Sequence, residues 1–246
     1  ILSSIILPPE TEEQDLRRIM SELEQACDEL QIEILGGHTE VSDAVNRPVI
    51  TVTGVGKVAR GDLLSTGGVQ PGDELVMTKW AGLEGSAIIA AEKRDVLEQT
   101  LPAHLIDTAE SFLKHISVVP EAKIAMQHGV HAMHDVTEGG IFGALWEMGA
   151  ASGVGIVADL DKIPIRQETI ELCEVFDINP YLLISSGCML IGCENGNLLV
   201  ERLQEAGIPA AVIGRATEGN DRVIRSGEET RFLEPAGSDE LYKIYE

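Results

Sequence analysis

The stretch His134-Asp135-Val136-Thr137-Glu138-Gly139-Gly140 constrains this chain more than any other, because an apolar run at residues 130–133 enters it and an apolar-periodic run at residues 141–148 leaves it. The pattern predicts a strand, a tight turn and a helix. An acid at the end of a strand can hold a metal ion. Two glycines in a helix's first turn present N–H groups that have no intrahelical partner and no Cβ to shield them. Thr137 carries the hydroxyl of an N-cap, and Glu138 suits the positive end of the helix dipole. This is the layout of a phosphate site. It is also what an ordinary strand-to-helix turn is made of, so the remainder of the chain has to decide.

A chain of 246 residues with 44% hydrophobic content can build one large domain or two ordinary ones. Aromatics are scarce and glycines frequent, which points to Ile/Leu/Val/Ala cores joined by tight connections. Forty-one acids against 18 bases give a formal charge of −23, which repels nucleic-acid backbones and anionic membrane surfaces. A nucleotide remains open to such a chain, since Mg²⁺ bridges carboxylates to phosphate oxygens. Cys27, Cys173, Cys188 and Cys193 form no CxxC pair and read as reduced, buried thiols of a soluble cytoplasmic protein. No apolar run approaches the roughly 20 residues of a membrane span.

Along the chain, residues 1–7 read as a strand that begins abruptly, as if cut. A helix follows to about Leu30, opened by a capping box of Thr11 and Gln14. Ile32 and Ile34 alternate as a strand ending at Gly36-Gly37, and residues 48–58 make another. The segment 64–73 is rich in turn formers and places a boundary near Gly68, dividing the chain into residues 1–68 and 69–246. Beyond it the pattern predicts a strand at 74–78, helices from Ser86, over 103–115 and over 120–128, and a strand at 154–159. Residues 181–193 read as two strands with a break, followed by a helix over 195–207 and short strands at 210–214 and 222–225.

Four segments in this order, Gly36-Gly37-His38-Thr39-Glu40, Pro71-Gly72-Asp73-Glu74-Leu75, the His134 to Gly140 motif and Ile184-Ser185-Ser186-Gly187, resemble the aminoimidazole ribonucleotide synthetase superfamily, and within it most of all the hydrogenase maturation branch. The resemblance implies an α+β protein of two mixed-sheet α/β sandwich domains. It also implies a homodimer, and an ATP- and Mg²⁺-dependent enzyme that phosphorylates an oxygen of a small or protein-bound acceptor. Asp135 then stands near the phosphates as a catalytic and metal-binding acid. Gly36, Gly37 and Thr39 lie in a turn beside the nucleotide, and Thr137, Gly139 and Gly140 at the phosphate-binding helix start. Relatives commonly carry an acid where this chain has His38, which makes His38 a catalytic candidate and Glu40 the replacement metal ligand. A noncatalytic dimeric relative serving in binding or assembly is the other class of function.

Other residues carry weaker signals. His128, His131 and His134 invite a zinc reading, against which a strand would point His131 and His134 to opposite faces. Lys79 reads as an exposed strand-end lysine, although it could meet a phosphate. Glu84 and Ser86 sit in a Gly-rich loop that opens a helix and could face a substrate, or simply connect. Trp80 could stack on a base, whereas Trp146 falls within a helix's apolar pattern.

Overall fold

The computed structural model describes residues 1–245, which form two compact units, Ile1–Leu63 and Leu64–Glu246. In the first, a three-stranded sheet has the order β2-β1-β3, with β1 at Leu2–Leu7, β2 at Gly36–Val41 parallel to it and β3 at Val49–Thr53 antiparallel. The alternation of β1 sends Ser3, Ile5 and Leu7 to one buried face. Helix α1, Glu13–Leu30, keeps its stripe of Leu16, Met20, Leu23 and Cys27 less exposed than its acidic side. Its capping box consists of Glu12 and Asp15, one residue on from the Thr11 and Gln14 pair that the sequence suggested. The strand expected at Ile32 and Ile34 begins instead at Gly36, so Gly36-Gly37-His38-Thr39-Glu40 is extended sheet and not a turn. The requirement for glycine there is steric: a Cβ on Gly37 would lie 1.8 Å from the Ser3 carbonyl oxygen.

The second unit is built on a seven-stranded sheet. It contains β4 (Glu74–Thr78), β5 (Ala132–Asp135), β6 (Gly155–Asp159), β7 (Met189–Cys193), β8 (Ala210–Thr217), β9 (Arg222–Ser226) and β10 (Glu229–Phe232), in the order β10-β9-β6-β8-β4-β7-β5. Leu75 and Met77 of β4 join one apolar cluster, and Val76 between them joins another. The sheet is thus covered on both sides, which is why its central strands read as continuous apolar runs. The larger cluster packs α2 (Leu83–Glu92), α3 (Arg94–Leu97), α4 (Ala103–Glu110), α6 (Gly140–Ser152) and α7 (Gln167–Phe176). The smaller packs α5 (Val119–His128) and α8 (Gly196–Glu205).

Several expectations shift. The unit division falls a few residues before Gly68, because Gly68 is pressed against the second unit's own backbone, where a Cβ would meet the His131 carbonyl oxygen at 2.1 Å. The apolar run at 130–133 enters its strand late, so His134 and Asp135 are themselves the end of β5. The pair of strands expected over 181–193 is a single strand, because residues 181–188 are held as turns by Leu182 N–H to Asn179 O and Cys188 N–H to Ser185 O. Helix α7 and strand β10 lacked a readable period and were missed.

Candidate functional site

Asp135 ends β5, the outermost strand of the sheet, with an exposed carboxylate that has no side-chain partner among the described residues. Its neighbour is fixed. His134 bonds Thr66 Oγ1 through Nδ1 at 3.1 Å and Glu147 Oε2 through Nε2 at 2.9 Å, so the ring is clamped between the segment entering the unit and helix α6. His131 Nδ1 pairs with the Asp73 carboxylate at 2.8 Å, and His128 reaches the Asn195 carbonyl oxygen. The three histidines therefore serve three separate partners. Among the described residues no group of three His, Cys, Asp or Glu side chains is arranged to hold a metal ion.

The start of α6 differs from the expectation. Thr137 is not the N-cap. Gly139 takes that position with φ 81°, and Thr137 contributes its carbonyl oxygen to the Gly140 N–H at 3.0 Å. Nor are the neighbouring amides of Gly139 and Phe142 open: Gly139 N–H donates to Asp239 Oδ2 at 2.8 Å, and Phe142 N–H to the Tyr181 carbonyl oxygen at 3.2 Å. Gly140 is pressed so closely on residues 181–183 that a Cβ would lie 2.6 Å from Tyr181 O. Asp239 is 3% exposed, and its Oδ1 also accepts the N–H groups of Leu241 at 2.8 Å and Ile184 at 3.2 Å. One carboxylate thus ties the helix start, the Ile184-Ser185-Ser186-Gly187 segment and the end of the chain together. Sequence reasoning missed it. The available signal was Ser238-Asp239 directly before Glu240-Leu241, the composition of a helical cap.

In the first unit, His38 and Glu40 pair opposite Ser4 and Ile6 on one face of the sheet, with His38 Nε2 3.3 Å from Glu40 Oε2. Both side chains are exposed, and Thr39 lies on the other face, opposite Ile5. Gly36 and Gly37 hold the parallel pairing to Leu2 and Ser3.

Ser86 is buried and donates to Thr169 Oγ1 at 2.9 Å, so it is packed structure and does not face a substrate. Three of the thiols are held protonated: burial pushes Cys188 and Cys173 up to about 12 and Cys193 up to about 11. Cys188 donates its S–H to the Trp80 carbonyl oxygen at 2.7 Å. No described helix is long and apolar enough to cross a membrane.

Residues 1–58 match the family model described as AIR synthase related protein, N-terminal domain, and residues 70–226 match its C-terminal domain. A putative hydrogenase expression/formation protein of Methanocaldococcus jannaschii is 30% identical over 225 residues, covering 90% of this chain and 65% of that protein. A carbamoyl dehydratase HypE of Rhodobacter capsulatus is 27% identical over 229 residues, covering 91% and 65%. The chain therefore spans under two thirds of the length of these relatives. A structure of the hydrogenase maturation protein HypE in complex with ATP superposes with a TM-score of 0.77 at 18% identity, over 98% of this chain and 74% of that one, which speaks to the fold alone. With both domain models matched in order along one chain, this protein belongs to the AIR synthase related protein family.

Proposed function

We propose that this chain forms the nucleotide-handling framework of an ATP-dependent enzyme of the carbamoyl dehydratase type, which activates a carbonyl oxygen of a carbamoyl-like group by phosphorylation. Two lines support the reading: membership of a family with relatives named for that activity, and an exposed, unpartnered Asp135 at a strand end. The second is the observation that carries it. Mg²⁺ accepts one or two carboxylates together with phosphate oxygens and water, so a lone Asp135 fits that ion. Bound there, the ion would neutralise charge on the transferring phosphoryl group.

The chain's own residues then divide the work. Asp135 holds the metal, and the clamped His134 ring keeps the end of β5 in place. Thr137 and Glu138 line the same turn. Gly139 and Gly140 contribute close approach of the backbone, their amides being engaged by Asp239 and Thr137. His38, Glu40, Gly36, Gly37 and Thr39 form the second candidate group, with Glu40 as metal ligand and His38 as the catalytic candidate beside it, 3.3 Å away. The exposed apolar residues of β3 suit a homodimer joined through the first unit.

A noncatalytic binding or assembly role is the second reading, and the occupied amides at the start of α6 favour it, since phosphate would have to displace Asp239. Titration calorimetry of ATP with and without Mg²⁺ separates the two. Micromolar, Mg²⁺-dependent binding that is lost in Asp135→Asn upholds the enzyme. No binding by a folded dimer upholds the assembly role.

A further inference from the structure

The cation that this chain buries is paired. Lys79, expected on the surface, is 6% exposed, and its Nζ lies 2.5 Å from Glu121 Oε1. Two arginines of the second sheet are treated differently. Arg215 of β8 stands directly opposite Glu74 of β4, and Arg225 of β9 directly opposite Asp159 of β6. Opposite charges in such cross-strand positions ordinarily meet. Here they do not, and neither guanidinium has an ion pair or a hydrogen bond among the described residues.

The two acids are engaged elsewhere. Glu74 Oε2 accepts the Gly196 N–H at 2.7 Å and Oε1 the Asn197 Nδ2 at 3.4 Å, so its carboxylate is drawn to the positive end of α8. Asp159 Oδ2 takes Lys162 Nζ at 2.6 Å. Both arginines are exposed and share one face of the sheet, because Arg215 is also paired with Val157 of β6, two residues before Asp159. Their Cα atoms are thereby set about 10 Å apart across β6 and about 7 Å along it, a span that two arginine side chains close. Arg215, Arg225 and Lys162 line one concavity of about 370 Å³. With Glu74 turned to a helix head and Asp159 matched by Lys162, two positive charges stand there without counter-ions, in a chain where 41 acids face 18 bases.

We propose that this concavity binds a compact phosphate-type dianion, held between the guanidinium groups of Arg215 and Arg225 with Lys162 at its edge. The charge of the ligand follows from the two cations without counter-ions. Its shape follows from their placement: arginine forks from β8 and β9 and an ammonium from the turn after β6 come from three sides, which suits a tetrahedral oxyanion better than a planar carboxylate. Lys162 gives one hydrogen to Asp159 and has two others to offer. Only two wall residues, Val157 and Val212, carry apolar side chains, too few to hold a large hydrocarbon group. In the sheet order β8 lies three places from β5, so the site stands independently of Asp135 and of the nucleotide reading.

Calorimetric titration of the full chain with inorganic phosphate, in chloride buffer without nucleotide, should show a saturable site with a Kd of about 1 mM or tighter. Acetate should bind about tenfold more weakly or worse. Arg215→Gln/Arg225→Gln should abolish phosphate binding, whereas Arg202→Gln, which removes a charge from α8 outside the cavity, should leave it in place. A second readout needs no variant: phenylglyoxal modifies arginines, and peptide masses should show saturating phosphate slowing the reaction at Arg215 and Arg225 but not at Arg202. Glycerol 3-phosphate separates the two sources of the dianion, tighter binding than phosphate assigning the site to a phosphomonoester and weaker binding to the free ion. No saturable phosphate binding, equal affinity for acetate, affinity retained in the folded double variant, or equal protection at Arg202 overturns the proposal. If the double variant does not fold, the protection pattern decides.

Discussion

The Asp239 carboxylate accepts the Gly139 N–H at 2.8 Å, so a residue one hundred positions downstream supplies the anion at the head of helix α6. Three amides, that of Gly139 buried and those of Ile184 and Leu241 half-buried, depend on this one side chain. Asp239→Ala should cost about 3 kcal/mol in urea unfolding, the scale of orphaned buried donors, with Asp239→Asn losing less. The alanine variant also frees the Gly139 amide. Inorganic phosphate should then raise the unfolding midpoint of the variant by more than that of the parent protein.

Asp135 is exposed, and its carboxylate has no partner among the described residues. Asp135→Asn should leave the unfolding free energy within about 0.5 kcal/mol of the parent. Calorimetry should show Mg²⁺-dependent ATP affinity weakened by about tenfold or more, the loss expected when a neutral amide replaces the carboxylate a hard cation prefers. Equal affinity in the two proteins removes Asp135 from the metal site.

Adjacent glycines in β2 should behave differently. A Cβ at Gly37 meets the Ser3 backbone, whereas one at Gly36 meets nothing within 4 Å. Gly37→Ala is expected to cost about 3 kcal/mol or more by separating β1 from β2. Gly36→Ala should cost about 1 kcal/mol, from its φ of 147° alone. Circular dichroism melts of the two variants test the contrast.

The buried thiols tie stability to alkaline pH. Burial raises Cys188 and Cys173 from 9.0 to about 12 and Cys193 to about 11. Above pH 9 the unfolded chain loses these protons while the folded chain keeps them, so the unfolded state binds fewer and stability falls as pH rises. This contribution is fully present below pH 9 and is lost as pH climbs through 11 to 12. Each thiol adds a slope of about 1.4 kcal/mol per pH unit in that window. Cys188→Ala should flatten the dependence of stability on pH between 9 and 10.5 by one such increment, whatever its effect at pH 7.

Ile50 and Val52 of β3 are 45% and 48% exposed. If the homodimer proposed above forms through the first unit, Ile50→Glu/Val52→Glu should shift the sedimentation profile to monomer at concentrations where the parent is dimeric. An unchanged profile places the contact elsewhere.

Much of the second unit was legible because its signals are local. Pro120 and Gly129 bracket α5, and Gly139 and Gly140 mark the start of α6. The families of contacts that were not legible are those made at long range. Nothing near Gly139 announces Asp239, and nothing near Lys79 announces Glu121, because each pairing is decided by how distant turns pack. Gly36-Gly37 misled for a physical reason: glycines mark turns through their backbone freedom, yet Gly37 is present because a neighbouring strand leaves no room for a side chain. Thr137 was likewise given a capping hydroxyl when the geometry uses its carbonyl.

Strand β5 is the last in its sheet, and Asp135 stands at its tip. No further strand of that sheet pairs beyond it, and the segment that carries Thr66 and Gly68 packs there instead, so the surroundings of the carboxylate can change without any backbone ladder being broken. Connecting segments can therefore diverge around Asp135 while the β-scaffold beneath them stays the same.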